Sequence, residues 1–148
     1  MPKKKIILLS TGGTIVSSGE SATQTTGYRL GELSINALLD QLPDLKDKIE
    51  LEQEAASHVD SSSMTSEIWL KLARRVQAAV DREDVDGVVI THGTDTMEET
   101  AYFLHLILKT DKPVVITGAM RPATALSADG ILNLYNAFQV ALSEESKG

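Results

Sequence analysis

The sequence of 148 residues contains no cysteine, which excludes disulfide bonds and thiolate chemistry. Aromatic residues make up only 4% of the chain while hydrophobic residues reach 42%, so the predicted core is mainly aliphatic. No apolar stretch is long enough to span a membrane. The early run IILLSTGG is too short for a signal peptide and lacks a small-residue cleavage site, although a chain whose signal had been removed would look the same. We therefore expect one cytoplasmic domain.

Basic residues are in the minority, with 14 against 21 acidic residues and a formal net charge of −7. Nucleic-acid-binding proteins usually present a basic patch, and the short cluster from Lys3 to Lys5 directly precedes a predicted strand. The three histidines lack metal-ligand spacing, and the dinucleotide-binding, P-loop and G-x-S-x-G patterns are absent from the sequence. We expect no metal, no cofactor, no nucleic acid and no membrane partner.

Apolar runs alternate with amphipathic segments, which is typical of an α/β domain with a mostly parallel sheet and helices on both faces. Predicted strands cover residues 4–10, 49–57, 86–91 and 113–117. Predicted helices run from Ser34 to Pro43, Thr65 to Arg82, Asp95 to Leu108 and Asp129 to Leu142. Asp95 and Glu98 are spaced as a capping box. Residues 17–31, rich in Ser, Thr and Gly, are predicted to form a long loop, a kind of segment that is often functional.

Polar clusters follow the four predicted strands. STGGT covers residues 10–14, DSSSMT 60–65, THGTD 91–95 and TGAMRP 117–122. The carboxyl ends of parallel strands lie at one edge of a sheet, where open α/β sheets bind ligands. Glycines at such positions let backbone N–H groups approach a ligand, and helix N-termini favour an anion. The sequence therefore predicts one ligand pocket built from these clusters.

Hydroxyl groups, one aspartate and backbone donors are what this pocket would offer. A threonine can act as a nucleophile when a neighbouring base takes its proton, and backbone N–H groups can stabilise an oxyanion. This combination suits acyl transfer, such as amide hydrolysis. Local interpretations without catalysis stay open: a tight turn at residues 12–14, helix capping by Thr94 and Asp95, and a plain loop position for Ser61.

Several other residues are predicted to be structural. His92 is interpreted as structural rather than catalytic, and His105 as a residue on a helix surface or in a packed contact. Trp69 falls on the core-facing side of its predicted helix. Arg121 and Asp129 are interpreted as an ion pair near the pocket.

Four stretches together resemble the bacterial-type L-asparaginase and glutaminase-asparaginase family. They are TGGTI at residues 11–15, DSSSMT at 60–65, ITHGTDTMEETAYFL at 90–104 and PVVITGAMRP at 113–122. The resemblance covers essentially the whole chain, and TGGTI combined with HGTDTMEET is much more specific than either motif alone. It implies an N-terminal asparaginase domain of flavodoxin-like or Rossmann-like fold. It also implies hydrolysis of L-asparagine to L-aspartate and ammonia by a threonine nucleophile, without metal or cofactor.

The resemblance implies a set of site residues. The implied catalytic residues are Thr14, Tyr28 and Thr94, and the implied substrate-binding residues are Ser61, Ser62, Asp95 and Ala119. Thr14 is implied to be the nucleophile, Tyr28 a lid residue that assists it, and Thr94 the second catalytic threonine. Ser61 is implied to hold the substrate α-carboxylate and Asp95 the α-amino group, while the Ala119 backbone contacts the side-chain amide.

Ser62 departs from many secreted members of the family, which carry glutamine or glutamate at this position. The preference between L-asparagine and L-glutamine therefore stays open. The resemblance also implies parts that lie beyond residue 148: a catalytic lysine paired with the second threonine, a C-terminal domain, and active sites completed by a neighbouring subunit. We therefore expect residues 1–148 to form a catalytic domain that is incomplete at its C-terminal end, to belong to a homo-oligomer, and to have little activity alone.

Two other functions stay open at this point. One is a non-catalytic or regulatory module that binds an amino acid. The other is an asparaginase-like subunit of a tRNA amidotransferase, which releases ammonia from glutamine. An amino-acid-binding module would release no ammonia, whereas an asparaginase would. An amidotransferase subunit would need a partner subunit.

Overall fold

The structure of the chain is a computed structural model, and it describes residues 2–12, 15, 18, 20–23, 40–57 and 59–147. Thr14 and Tyr28 lie outside the described residues. The same holds for much of the predicted loop at 17–31 and of the predicted helix from Ser34 to Pro43. Within the described part, Pro43 is the first residue of a short helix.

Four parallel strands form the sheet in the described part of the chain, in the order β2–β1–β3–β4. They are β1 (Lys4–Ser10), β2 (Ile49–Ala55), β3 (Gly87–Thr91) and β4 (Val114–Thr117). The predicted parallel α/β arrangement is confirmed. Strand β2 ends two residues earlier than predicted, because the N–H groups of Ala56 and Ser57 both turn to the carbonyl of Ser10.

Four α-helices connect and follow these strands in the described residues. They are α1 (Pro43–Lys46), α2 (Ser66–Val80), α3 (Met97–Ile107) and α4 (Gly130–Leu142). Thr65 caps α2 by accepting the Ile68 N–H at 3.3 Å. Helix α3 begins two residues later than predicted, and the predicted capping box of Asp95 and Glu98 does not form. The reason is that residues 95 and 96 are hydrogen-bonded to Ser61 instead.

Side chains that alternate along the strands build a separate core on each face of the sheet. On one face, Ile6, Leu8 and Val89 pack with α4, where Phe138 is fully buried. On the other face, the alternate strand residues pack with α2 and α3. The buried members of this second core include Ile7, Leu9, Val88, Ile90, Leu72, Val76 and Leu104. The predicted placement of helices on both faces is therefore confirmed, and both cores are aliphatic apart from Phe138 and the partly buried Phe103.

Charged side chains cluster at the amino edge of the sheet. Arg82 contacts both Glu52 and Asp84, and Lys5 contacts Asp84 at 3.0 Å. The hydrogen bonds from Arg82 and Lys5 hold the pKa of the Asp84 carboxyl below its ordinary value. Lys4 reaches Glu144 at 2.7 Å and Lys112 donates to the carbonyl of Arg82 at 2.5 Å. This edge is the opposite one from that on which the glycine and threonine clusters lie.

Candidate functional site

The candidate site lies where the strand order of the sheet reverses. From β1 the chain moves to β2 on one side and then to β3 on the other. Such a switch point leaves a crevice at the carboxyl ends of the two central strands. Here Thr11 ties the two ends together: its N–H and its hydroxyl both donate to the Thr91 carbonyl, at 3.0 and 2.9 Å.

The turn after β1 depends on Gly12. This residue has a φ of 104°, a conformation that L side chains rarely adopt. A Cβ atom there would also lie 3.0 Å from the Val59 carbonyl oxygen, so glycine lets the two backbones come together. Val59 in turn donates its N–H to the Thr11 carbonyl at 3.2 Å. The exit of β1 is thus held against the segment that leads from β2 to Ser61.

Ser61 joins this segment to the turn after β3. It is 2% exposed and stands at the start of a 3-10 turn, Ser61–Ser63. Its Oγ accepts the Asp95 N–H at 3.1 Å, and its carbonyl accepts the Thr96 hydroxyl at 2.8 Å. A Cβ at Gly93 would lie only 2.5 Å from Ser61 Oγ, so this contact requires glycine. Since Ser61 Oγ accepts here, its own hydrogen remains available for donation.

The turn after β4 packs against the turn after β3. A Cβ atom at Gly118 would lie 2.4 Å from the His92 carbonyl oxygen and 3.4 Å from Thr94 Cγ2. Thr94 is half-buried, and Ala119, next to Gly118, is 1% exposed. This contact brings the backbone of residues 118–119 beside Thr94.

Asp129, the residue before α4, and Asn133, within α4, bind the backbone of the turn after β4. The Asp129 carboxylate accepts the N–H groups of Met120 and Arg121 at 3.0 and 2.9 Å. The Asn133 amide nitrogen donates to the Gly118 carbonyl at 3.0 Å and to Asp129 at 2.9 Å. The interpretation of Arg121 and Asp129 as an ion pair therefore needs correction, because Asp129 binds the Arg121 backbone.

His92 forms a buried chain of hydrogen bonds behind the turn after β3. Its Nδ1 lies 2.7 Å from the Gly93 carbonyl, which can only accept, so Nδ1 carries the hydrogen. In the neutral ring Nε2 then accepts from the Thr100 hydroxyl at 2.9 Å. Trp69 Nε1–H donates to the same hydroxyl at 2.7 Å. Burial lowers the pKa of His92, and the hydrogen bond to Gly93 opposes that shift only in part.

The structure brings several predicted site residues together. Ser61 Oγ accepts the backbone N–H of Asp95, Thr94 Cγ2 lies near Gly118, and Ala119 adjoins Gly118. Ser62 is close in sequence but exposed, and Thr14 and Tyr28 lie outside the described residues. The substrate and catalytic roles of all seven residues remain predictions. His105 is exposed as predicted, and Trp69 is half-buried and stacks on Phe103 at 5.7 Å between ring centroids.

Sequence reasoning missed the contacts made by Asn133, Thr96 and Thr100. Asn133 lies four residues after Asp129, the spacing that places two side chains on one face of a helix, so this pair could have been noticed. The partners of Thr96 and Thr100 come from other segments of the chain and leave no local signal. The described residues contain no group of three or more His, Asp or Glu side chains arranged to hold a metal ion. They also contain no helix of sufficient length and hydrophobicity to cross a bilayer.

The fold and the site define a parallel α/β protein with a ligand-binding edge at the reversal of strand order. The family model described as "Asparaginase, N-terminal" matches residues 5–148, and the chain therefore belongs to the asparaginase family.

Individual relatives agree with this assignment. Over 143 residues the chain is 50% identical to "L-asparaginase 2" of Bacillus subtilis and 48% identical to "Glutaminase-asparaginase" of Pseudomonas fluorescens, covering 97% of this chain in both. A structure titled probable cytoplasmic L-asparaginase, from Campylobacter jejuni, matches 98% of this chain with a TM-score of 0.91 and 50% identity. The chain spans 38%, 40% and 44% of the lengths of these three proteins, respectively.

Proposed function

We propose that these residues form the N-terminal catalytic domain of an amidohydrolase that converts L-asparagine and water to L-aspartate and ammonia. The observation that carries the proposal is the junction of Ser61, Gly93 and Asp95 at the switch point of the sheet. There the Ser61 hydroxyl, the Asp95 backbone and the half-buried Thr94 lie together in a chain of the asparaginase family. An α-amino acid carries both charges that such a junction can bind, a carboxylate for a hydroxyl donor and an ammonium for Asp95.

The proposed reaction proceeds in two steps. In the first step, Thr14 Oγ forms a bond to the side-chain carbonyl carbon, and the carbonyl oxygen takes up the negative charge. The carbon–nitrogen bond then breaks, and the nitrogen leaves as ammonia with the proton that Thr14 released. In the second step, water attacks the acyl-threonine ester, L-aspartate leaves, and the proton returns to Thr14. Backbone N–H groups at the strand ends stabilise the oxyanion, and Tyr28 assists from the lid.

The remaining residues distinguish the two ends of the substrate. Ser61 and Asp95 hold the α-carboxylate and the α-amino group, which asparagine and glutamine share. Ala119 contacts the side-chain amide through its backbone, so this end of the pocket has to sense the length of the side chain. Ser62 is exposed and follows Ser61 in the sequence. The preference between L-asparagine and L-glutamine has to be measured.

The test is ammonia release from L-asparagine and from L-glutamine by protein expressed from its complete gene. We expect release from L-asparagine, and we expect Thr14→Ala to abolish it. Unchanged turnover in Thr14→Ala would remove Thr14 as the nucleophile. Binding of L-asparagine without any ammonia release would instead favour a non-catalytic amino-acid-binding module. Release from glutamine that requires a second, different subunit would favour an amidotransferase component.

We also propose that the enzyme is a cytoplasmic homo-oligomer. Three apolar side chains on α3, Tyr102, Leu106 and Ile107, are 65%, 63% and 41% exposed, which leaves an apolar face available for contact with another chain. Light scattering after size-exclusion chromatography should give a multiple of the protomer mass. Fractionation of the native cells should place the protein with cytoplasmic markers, and recovery with secreted proteins would refute that location.

A further inference from the structure

We propose that Asp129 and Asn133 act as positioning residues that hold the 118–121 turn, and with it the Ala119 backbone and Thr94, against the amide end of the substrate. This inference rests on the proposed function. The two side chains form a clamp, by which we mean Asp129 and Asn133 together with the backbone groups of the turn that they bind.

Four hydrogen bonds form the clamp. One carboxylate oxygen of Asp129 binds Met120 and the other binds Arg121, so both N–H groups face the same residue. The two hydrogens of the Asn133 amide are shared between the Gly118 carbonyl and Asp129. The turn is therefore held through three of its backbone groups, which leaves it little freedom to move relative to α4.

The charge of Asp129 suits this role. Burial raises the pKa of its carboxyl, but the hydrogen bonds from the N–H groups of Met120, Arg121 and Asp129 itself and from Asn133 together outweigh burial, and the pKa lies below its ordinary value. The carboxylate form is thus favoured, and hydrogen bonds to a charged acceptor are stronger than those between neutral groups.

The residues next to the clamp pack closely against the residues of the candidate site. A Cβ at Gly130, the residue after Asp129, would lie 3.3 Å from Ala119 Cβ and 3.0 Å from Ile15, the residue after Thr14. The start of α4 therefore packs against one predicted site residue, Ala119, and against the residue that follows another, Thr14. At the other side of the turn, Gly118 contacts the His92 carbonyl and lies near Thr94. A shift of the turn would displace Ala119 and Thr94 together.

Ala119 is implied to meet the amide of the substrate, whereas Ser61 and Asp95 are implied to meet its α-groups. The clamp touches only the first of these two sets. Its loss should therefore affect substrates that carry an amide more than ligands that carry the α-groups alone. This difference separates a positioning role from a general loss of folded protein.

The test uses Asp129→Asn and Asn133→Ala in protein expressed from its complete gene, with Asn136→Ala as the matched control. Asn136 lies on the same helix and is exposed. We expect each clamp variant to lower kcat/KM for L-asparagine by about 10- to 100-fold, since misplacement of a reacting group by about 1 Å can cost up to about 100-fold. The inhibition constant of L-aspartate, which has no amide N–H, should change less than threefold, and Asn136→Ala should match the wild type.

A second measurement does not depend on catalysis. The Met120 and Arg121 N–H groups are held by the clamp, so their hydrogen exchange should become roughly tenfold faster in both variants while exchange in β1 and β3 stays unchanged. Wild-type protein that releases no ammonia would overturn the proposed function. An active wild type with variants of unaltered kinetics and exchange, or variants that lose L-aspartate binding as strongly as activity, would overturn the clamp alone.

Discussion

At the scale of single residues, the carboxyl edge of the sheet depends on short side chains that bind backbone groups. Ser61, Thr11 and Thr96 each join two segments that are far apart in the sequence. These bonds fix the turns on which Thr94 and Asp95 stand. Polar residues at this edge therefore stabilise the fold even without a substrate. The effect of a substitution on activity has to be compared with its effect on stability.

Thr94 and Ser61 should give different kinetic signatures. Thr94→Ala should lower kcat for L-asparagine by about 100-fold or more, because it removes the proposed second catalytic threonine, a group used at the transition state. Ser61→Ala should mainly raise KM, because a carboxylate contact is present in ground and transition states alike. Thr110→Ala, at the amino edge, is the control and should leave both constants unchanged. Steady-state kinetics that show the reverse pattern would exchange the proposed roles.

Two neighbouring threonines should respond oppositely to replacement by valine. In the described part of the chain, the buried Thr91 hydroxyl has no hydrogen-bond partner, and an unsatisfied buried hydroxyl destabilises the fold. Thr91→Val should raise the free energy of unfolding by about 1 kcal/mol. Thr11→Val loses the bond to the Thr91 carbonyl and should lower it by a similar amount, about 1 kcal/mol. Urea unfolding checks both, and a destabilised Thr91→Val would indicate that its hydroxyl has a partner.

His92 should make stability depend on pH. Burial lowers its pKa below the ordinary value of 6.5, so below that pH the unfolded chain binds more protons than the folded one. The contribution of neutral His92 is complete above pH 6.5 and is lost as the pH falls through the lowered folded pKa. The free energy of unfolding should therefore decrease as the pH falls from about 6.5 to 5.5, by at most about 1.4 kcal/mol per pH unit.

His92→Gln is the comparison for this pH dependence. Glutamine does not titrate, so the slope between about pH 6.5 and 5.5 should be absent in the variant, whatever its absolute stability. The carboxyl groups of the chain titrate mainly below this range. Urea unfolding at several pH values would measure both proteins, and an equal slope in both would assign the dependence to another group.

At the scale of elements, the site is made by turns that pack on one another at the ends of parallel strands. The turn after β4 rests on the turn after β3 through Gly118, and the turn after β3 rests on the Ser61 segment through Gly93. Both contacts are possible only because a side chain is missing. The strand ends can therefore approach each other closely enough for their polar residues to share one crevice.

Gly118→Ala should disturb this packing. Its Cβ would lie 2.4 Å from the His92 carbonyl oxygen, which is backbone and cannot turn away, and 2.6 Å from Met97 Cε. We expect the free energy of unfolding to fall by about 1–3 kcal/mol and ammonia release to fall with it, since β3 and β4 must separate at their ends. Ser127→Ala, at an exposed position of the following loop, should change neither. Thermal unfolding and the ammonia assay provide the two readouts, and a variant as stable as wild type would show that the turns can shift freely.

At the scale of the whole molecule, the described lysines with identified partners lie at the amino edge of the sheet, opposite the candidate site. The ammonium groups of Lys4 and Lys147 bind Glu144, that of Lys5 binds Asp84, and that of Lys112 binds the Arg82 carbonyl, all at the amino edge. Helix α3 alone, with 11 residues, separates the two edges by roughly 16 Å. A threonine hydroxyl is a poor nucleophile without a base or a proton relay.

We therefore expect the 148-residue chain to fold but to release little ammonia from L-asparagine by itself. A separately produced C-terminal portion of an asparaginase relative, added to the purified chain, should increase release by supplying a base or a proton relay. The protein expressed from its complete gene is the positive control. Turnover by the isolated chain that equals this control would refute the relay argument and would require a base within these residues.

Sequence patterns predicted the order of strands and helices and the sheet edge at which the polar clusters lie. Runs such as IILLS and GVVIT are short, continuously apolar and bounded by glycine, which is typical of buried parallel strands, and their spacing required helical connections. The position of the polar clusters then followed, because parallel strands share a carboxyl edge. The exact starts of helices could not be predicted in the same way, since local propensity at Asp95 was outweighed by the hydrogen bond of its N–H to Ser61, 34 residues away.

Which side chains hold the candidate site in place depends on tertiary packing. The bonds of Asp129 and Asn133 to the 118–121 turn, of Ser61 to Asp95, and of Thr100 to His92 depend on how the strands lie side by side. Sequence pattern records which residues are apolar and where the turns fall, because those properties are local. It does not record which polar group will face which backbone group across the sheet, because that pairing exists only after both cores have packed.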